Sequence, residues 1–74
     1  MQTPNVTNHT ASATIPPGFT EVEFIFSATF TGTVSGVAFA GATDYSTSFR
    51  ADSKERLAEI DFTVTAGSVR VKTI

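Results

Sequence analysis

Few residues in this chain carry reactive groups. One histidine, His9, and the carboxylates Glu21, Glu23, Asp44, Asp52, Glu55, Glu59 and Asp61 are its candidate acids, bases and hard metal ligands, and cysteine is absent. Glu21 and Glu23 lie two apart, so an extended backbone turns both to one face. Such a pair can hold a cation or divide acid and base roles; the plainer reading is the wet side of a strand. Asp44-Tyr45, with Arg50 a few residues on, offers a surface on which a sugar could stack. Asp52, Lys54 and Glu55 sit within ADSKER and read as a solvated loop between strands. A nucleophile–histidine–acid set has nothing to build on, because the single histidine falls in a polar N-terminal stretch. The glycines at 32, 36 and 41 occupy strand and turn positions with no helix after them, so no phosphate-binding loop is formed. We therefore expect no enzyme, no cofactor and no metal centre: one histidine makes no zinc site without several carboxylates gathered around it.

The elements that would position these residues are legible in the alternation of side chains. Residues 1–14, MQTPNVTNHTASAT, are polar and lack hydrophobic periodicity, which predicts an extended N-terminal arm, free or laid on a neighbour. His9 is expected there as a solvated or interface side chain. Two Asn-X-Thr triplets in this stretch match the glycosylation pattern and are read as coincidence in an Asn/Thr-rich segment. Ile15-Pro16-Pro17-Gly18 marks the start of a single β domain over residues 15–74. Val22, Phe24, Phe26, Ala28, Phe30, Gly32 and Val34 share one parity and face a core, with a bend or bulge expected near Ala28.

The stretch TFTGTVSGVAFAG (29–41) reads as a hairpin closed by Ser35-Gly36. Val34 then pairs Val37, Gly32 pairs Phe39, and Phe30 pairs Gly41. One face holds Phe30, Val34, Val37 and Phe39, with Gly32 leaving room under the Phe39 ring. The other face holds Thr29, Thr31, Thr33, Ala38 and Ala40, all small and uncharged, and this is the candidate assembly face. Tyr45, Thr47 and Phe49 alternate with Ser46, Ser48 and Arg50 as a further strand. LAEIDFTVT and SVRVKTI, around Ala66-Gly67, read as a second hairpin in which Val64 pairs Val69, Phe62 pairs Val71 and Ile60 pairs Thr73. Its opposite face would set Asp61 against Lys72 and Thr63 against Arg70. The candidate core is Val22, Phe24, Phe26, Phe30, Val34, Val37, Phe39, Phe49, Ile60, Phe62, Val64, Val69 and Val71. The whole reads as all-β, a small antiparallel β-sandwich or open barrel of five to six strands with an extended N-terminal arm.

Composition bounds the function. Seventy-four residues make one small domain, which buries only about 60% of its unfolded surface. Without disulfides or a metal, oligomerisation is the remaining stabiliser. Charged residues are 16% of the chain against about 25% in an average domain, which suits surfaces that meet protein. A net charge of −2 and pI near 5.0 leave no basic stripe for nucleic acid. No apolar run approaches the ~20 residues of a membrane-spanning helix. Met1 to Asn5 shows neither basic nor apolar leader character, so no secretory signal is expected.

The Pro-Gly opening, GTVSGV, the alanine–glycine turn and L..I.FTVTAGSVRVKTI together resemble small β-rich proteins encoded among the head and tail structural genes of tailed bacteriophages. The resemblance spans residues 16–74. It implies a non-enzymatic virion part, either a capsid decoration or head-fibre protein or a tail or baseplate component. Such proteins are commonly trimeric and often attach to other virion proteins through an N-terminal arm such as residues 1–14, after assembly in the bacterial cytoplasm. The alternative is a small lectin-like or host-adhesion module with its site around Asp44-Tyr45 and residues 51–56.

Overall fold

The computed structural model describes residues 5–74. The strands are β1 (Asn5–His9), β2 (Ala13–Ile15), β3 (Glu21–Phe26), β4 (Thr31–Val34), β5 (Val37–Ala40), β6 (Ser46–Arg50), β7 (Ile60–Ala66) and β8 (Val69–Thr73), with one helical turn, α1 (Gly41–Asp44), between β5 and β6. They form two four-stranded antiparallel sheets: sheet A in the order β1-β8-β3-β6, and sheet B in the order β2-β7-β4-β5. The fold is thus an all-β sandwich, with eight strands among the described residues where five to six were expected.

The additional strands come from the N-terminal stretch. Residues 5–9 and 13–14 are extended, with a bend between them at Thr10-Ala11, and they lie on the chain's own sheets: Asn5–His9 pair with β8 and Ala13–Ile15 with β7. Residues 1–4 of the expected arm lie outside the described residues. Hydrophobic alternation could not reveal β1, because an edge strand over the open side of a sandwich covers little core with its side chains. Its attachment is through the backbone. His9 is likewise no solvated side chain: it is half-buried, its ring edge-on to Phe62 at 5.1 Å, with Nε2 2.8 Å from the Thr7 hydroxyl.

Connectivity follows one rule. Every connection between successive strands changes sheet except β4–β5, the hairpin turned by Ser35 (φ 51) and Gly36 (φ 82). Positive φ at both central residues is the backbone twist that a two-residue hairpin needs. Its register is Val34↔Val37, Thr33↔Ala38, Gly32↔Phe39 and Thr31↔Ala40. By contrast, residues 60–73 do not form a hairpin. β7 lies in sheet B and β8 in sheet A, joined through Gly67 (φ 73). The Asp61–Lys72 and Thr63–Arg70 pairs are therefore not made: Asp61 accepts a hydrogen bond from Thr14 (2.8 Å), and Thr63 faces Thr33. Two strands with inward-facing apolar residues can lie side by side in one sheet or face each other across the core, and the same alternation serves both.

The bend expected near Ala28 is such a sheet change, and it is tied to the one at Gly67. The Phe30 N–H donates to the Ser27 carbonyl (3.0 Å), the Ser27 N–H to the Ser68 carbonyl (2.9 Å), and the Ser68 N–H to Ser27 Oγ (3.0 Å). Ser27→Ala leaves the part-buried Ser68 N–H without that acceptor. We predict a loss of about 1 kcal/mol in urea unfolding, with an unchanged dependence on urea.

The core between the sheets contains Ile15, Val22, Phe24, Phe26, Phe30, Val34, Ile60, Phe62, Val69 and Val71, all buried. Phe24 is its centre, edge-on to Phe49 and Phe62, while Phe26 stacks on Phe30 at 4.5 Å and meets Phe39 at 5.3 Å. Phe39, Phe49 and Val64, expected inside, are partly buried and pack on the rim, joined there by Phe19 and Leu57. Val37 is a correction: it is 57% exposed. It shares the inner face with Val34, but it sits on an edge strand beside the hairpin turn. Gly32 also differs from expectation. A Cβ there would strike the Thr63 carbonyl oxygen and the Phe30 ring, so the glycine serves the close approach of β4 to β7 at a bulge between Thr31 and Gly32.

Candidate functional site

The two outer faces of the sandwich differ sharply in chemistry. Antiparallel register places Glu21, Glu23 and Ile25 of β3 beside Arg50, Ser48 and Ser46 of β6. On the other side Glu23 and Ile25 are flanked by Lys72 and Arg70 of β8. Five charged side chains therefore project from the outer face of sheet A. Glu21 is held by Arg50, whose Nε and Nη2 both donate to Glu21 Oε2 at 2.9 and 2.7 Å. That pair is exposed at Arg50 and contributes a few tenths of a kcal/mol by the usual scale of surface ion pairs. The Glu21–Glu23 pair is thus the wet side of a strand, with one carboxylate engaged by arginine. Among the described residues, no group of three His, Asp or Glu side chains is gathered as a metal site would require.

Sheet B presents the opposite surface. Its outer face runs from Thr14 on β2 through Asp61 and Thr63 on β7, then Thr31 and Thr33 on β4, to Ala38 and Ala40 on β5. Asp61 is the single charge among these strand positions, and it sits at the β2 side, bonded to Thr14. At the centre Thr63 Oγ1 accepts from the Thr33 N–H (3.0 Å) and lies 2.7 Å from Thr33 Oγ1. The two hydroxyls thereby satisfy one another. Thr31, Thr33, Ala38 and Ala40 of the candidate assembly face are brought together as one small-residue surface. Thr29 is not part of it: it lies in the corner before β4, its hydroxyl 3.4 Å from Ser27 Oγ.

The residues considered for sugar binding are separated. Asp44 Oδ2 accepts from the Ala40 N–H at 2.7 Å and so closes α1. Arg50 lies at the far end of β6 from Tyr45 and is committed to Glu21. Tyr45 itself is 71% exposed, with backbone angles φ 59 and ψ −56. That region is sparsely populated and costs a non-glycine residue about 1–3 kcal/mol. Asp52, Lys54 and Glu55 lie in an exposed loop, with the Glu55 N–H on the Asp52 carbonyl (2.9 Å) and no strand or helix assigned. A cleft of about 250 Å³ opens between β1 and β2, lined in part by Thr7, His9, Ile15 and Phe19. Sequence reading missed this cleft because it arises from β1 and β2 belonging to different sheets.

Comparison with known proteins finds no family model, no curated protein and no solved structure that matches this chain. The functional reading therefore rests on the surface chemistry of the two sheets.

Proposed function

We propose that this chain is a non-enzymatic structural module that assembles with further copies of itself, in the setting of a tailed-bacteriophage virion. The observation that carries the reading is the outer face of sheet B, a sheet surface of threonine and alanine with one peripheral charge. Small neutral side chains let a second sheet approach closely and ask little desolvation of charge. A domain of 74 residues without cysteine also gains most from burying surface against another copy. The virion setting comes from the resemblance of residues 16–74 to phage head and tail proteins, which also implies a trimer. Attachment to other virion proteins through the N-terminal stretch, part of the same resemblance, would use the outer edge of β1 with its exposed Val6 in place of a loose tail.

Light scattering of the purified chain tests the reading. A defined oligomer is expected, and Thr31→Lys or Ala38→Lys, both at exposed positions on that face, should shift it toward monomer while leaving the far-UV spectrum unchanged. A wild-type monomer at every concentration would overturn the proposal. A sugar-binding reading retains one observation, the exposed Tyr45 ring. Glycan-array binding lost on Tyr45→Ala would favour it.

A further inference from the structure

A second surface, distinct from the outer face of sheet B, follows from the four sheet edges. β2 has three residues and runs into Pro16-Pro17, and β5 is closed at one end by its own turn, where the Ala40 N–H is held by Asp44 and the Ala40 carbonyl accepts from Thr43 Oγ1 (3.2 Å). Short strands, proline and local capping are the devices by which edges avoid pairing. The two outer strands of sheet A, β1 and β6, have none of these. The β1 edge is the one assigned above to other proteins, and β6, with the five residues STSFR, carries one charge at the very end.

The free groups of β6 can be assigned from its register with β3. The Phe26 N–H donates to the Tyr45 carbonyl (2.8 Å), and the Ala51 N–H to the Thr20 carbonyl (2.9 Å). Hydrogen-bonded pairs alternate along an antiparallel ladder, so Thr47 and Phe49 also direct their N–H and C=O groups toward β3. Ser46, Ser48 and Arg50 direct theirs away from the sheet, and all three residues are exposed. The side chains of Ser46, Ser48 and Arg50 stand on the outer face, and those of Thr47 and Phe49 on the inner one.

We propose that β6 is a self-pairing edge: two copies of this chain join antiparallel through Ser46–Arg50 about a two-fold axis at Ser48. In this register Ser48 opposes its own counterpart, Ser46 opposes Arg50, and Thr47 opposes Phe49. Inner residues therefore meet inner residues, as a continuous sheet requires. Every outward N–H and C=O of Ser46, Ser48 and Arg50 gains a partner, six backbone hydrogen bonds in all by the alternation of the ladder. The two arginines fall at opposite ends, so no like charges face each other. The partly buried Phe49 gains cover from the partner's Thr47, and the exposed Tyr45 stands beside the incoming strand's end. The product is one eight-stranded sheet from two copies of sheet A. The axis is perpendicular to the sheet and carries the two neutral faces of sheet B onto the same side of the dimer. The inference rests on the self-assembly reading and changes its arithmetic, since two-fold pairing builds even-numbered assemblies.

Because the chain has no cysteine, Ser48→Cys in the full chain gives a single thiol to report the contact. Opposed residues of a hydrogen-bonded pair lie about 5.5 Å apart at Cα, within disulfide reach. Mild oxidation should link this variant into a covalent dimer, whereas Ala11→Cys, exposed between β1 and β2 and away from both surfaces, should not give that species. Ser48→Pro removes an outward N–H that the monomer does not use, and edge strands accept proline at such positions. Ser48→Lys sets like charges against each other across the axis without touching the core. Each should raise the dissociation constant measured by sedimentation about 100-fold or more with an unchanged far-UV spectrum. If the wild type oligomerises but Ser48→Cys stays unlinked and Ser48→Lys associates normally, the edge is not the contact and self-assembly proceeds elsewhere. If the wild type stays monomeric throughout, both proposals fall.

Discussion

Removing residues 1–15 should abolish the cooperative thermal transition seen by circular dichroism. A free arm could be deleted without consequence, but residues 5–9 and 13–15 are the outer strands β1 and β2 of the two sheets. Register and alternation give Asn5, Thr7 and His9 the backbone groups of Thr73, Val71 and Val69, while Ala13 and Ile15 lie on Phe62 and Ile60. Without them, both Val71 (0% exposed) and Phe62 (2% exposed) lose a covering neighbour, and Ile15 leaves the core. A domain of this size holds about 5 kcal/mol or somewhat more in total. Losing two strands, a buried isoleucine and the His9–Phe62 contact exceeds what such a margin tolerates. A truncated chain that melts within a few degrees of the full one would show that β1 and β2 contribute little and would return these residues to the role of an arm.

A comparable loss is expected from a single methyl group at Gly41. Its Cβ would strike the carbonyl oxygen of Ser27 and lie 3.2 Å from the Phe30 Cβ, at the point where β5 passes into α1 beneath the β3–β4 corner. Backbone atoms on a corner held by the Phe30–Ser27 and Gly41–Phe30 hydrogen bonds have nowhere to retreat. Gly41→Ala should therefore destabilise by about 3 kcal/mol or more, as over-packing against fixed atoms does. Gly32→Ala, against the Thr63 carbonyl, should behave alike. Gly18→Ala is the control: φ there is 111, but nothing lies within 4 Å of the added atom, so only the backbone cost of about 1 kcal/mol applies. Chemical denaturation of the three variants separates them. Equal losses at Gly18 and Gly41 would mean that backbone preference, and not the close approach, sets the glycine requirement.

These two results bear on how the sheets are used. If the corners and outer strands hold the sandwich rigid, then the neutral face of sheet B and the edge of β6 are offered as preformed surfaces, and association need not be offset by further ordering. The charged face of sheet A has the reverse character. Glu21, Arg50, Glu23 and Lys72 place charge across that side.

Alternation of side chains by itself determined which residues face inward: Val22, Phe24, Phe26, Phe30, Val34, Ile60, Phe62, Val69 and Val71 are buried as their parity demands. The Ser35-Gly36 hairpin was equally legible, because two adjacent positive-φ residues and a two-residue loop leave one register. The small, uncharged character of Thr31, Thr33, Ala38 and Ala40 was visible for the same reason. What parity does not carry is the sheet to which a strand belongs. Ile60–Ala66 and Val69–Thr73 present the same inward residues whether they pair as a hairpin or face each other across the core. Only the close approach of Gly67 to the Phe30 backbone and the Ser27–Ser68 bonds select the second arrangement. Backbone pairing is likewise silent in residue type, so NVTNH reads as a polar tail until β8 offers it a ladder. The exposure of Val37 and the open edge of β6 belong to the same class: both depend on which strands are outermost, a property of the assembled sheets and of no single segment.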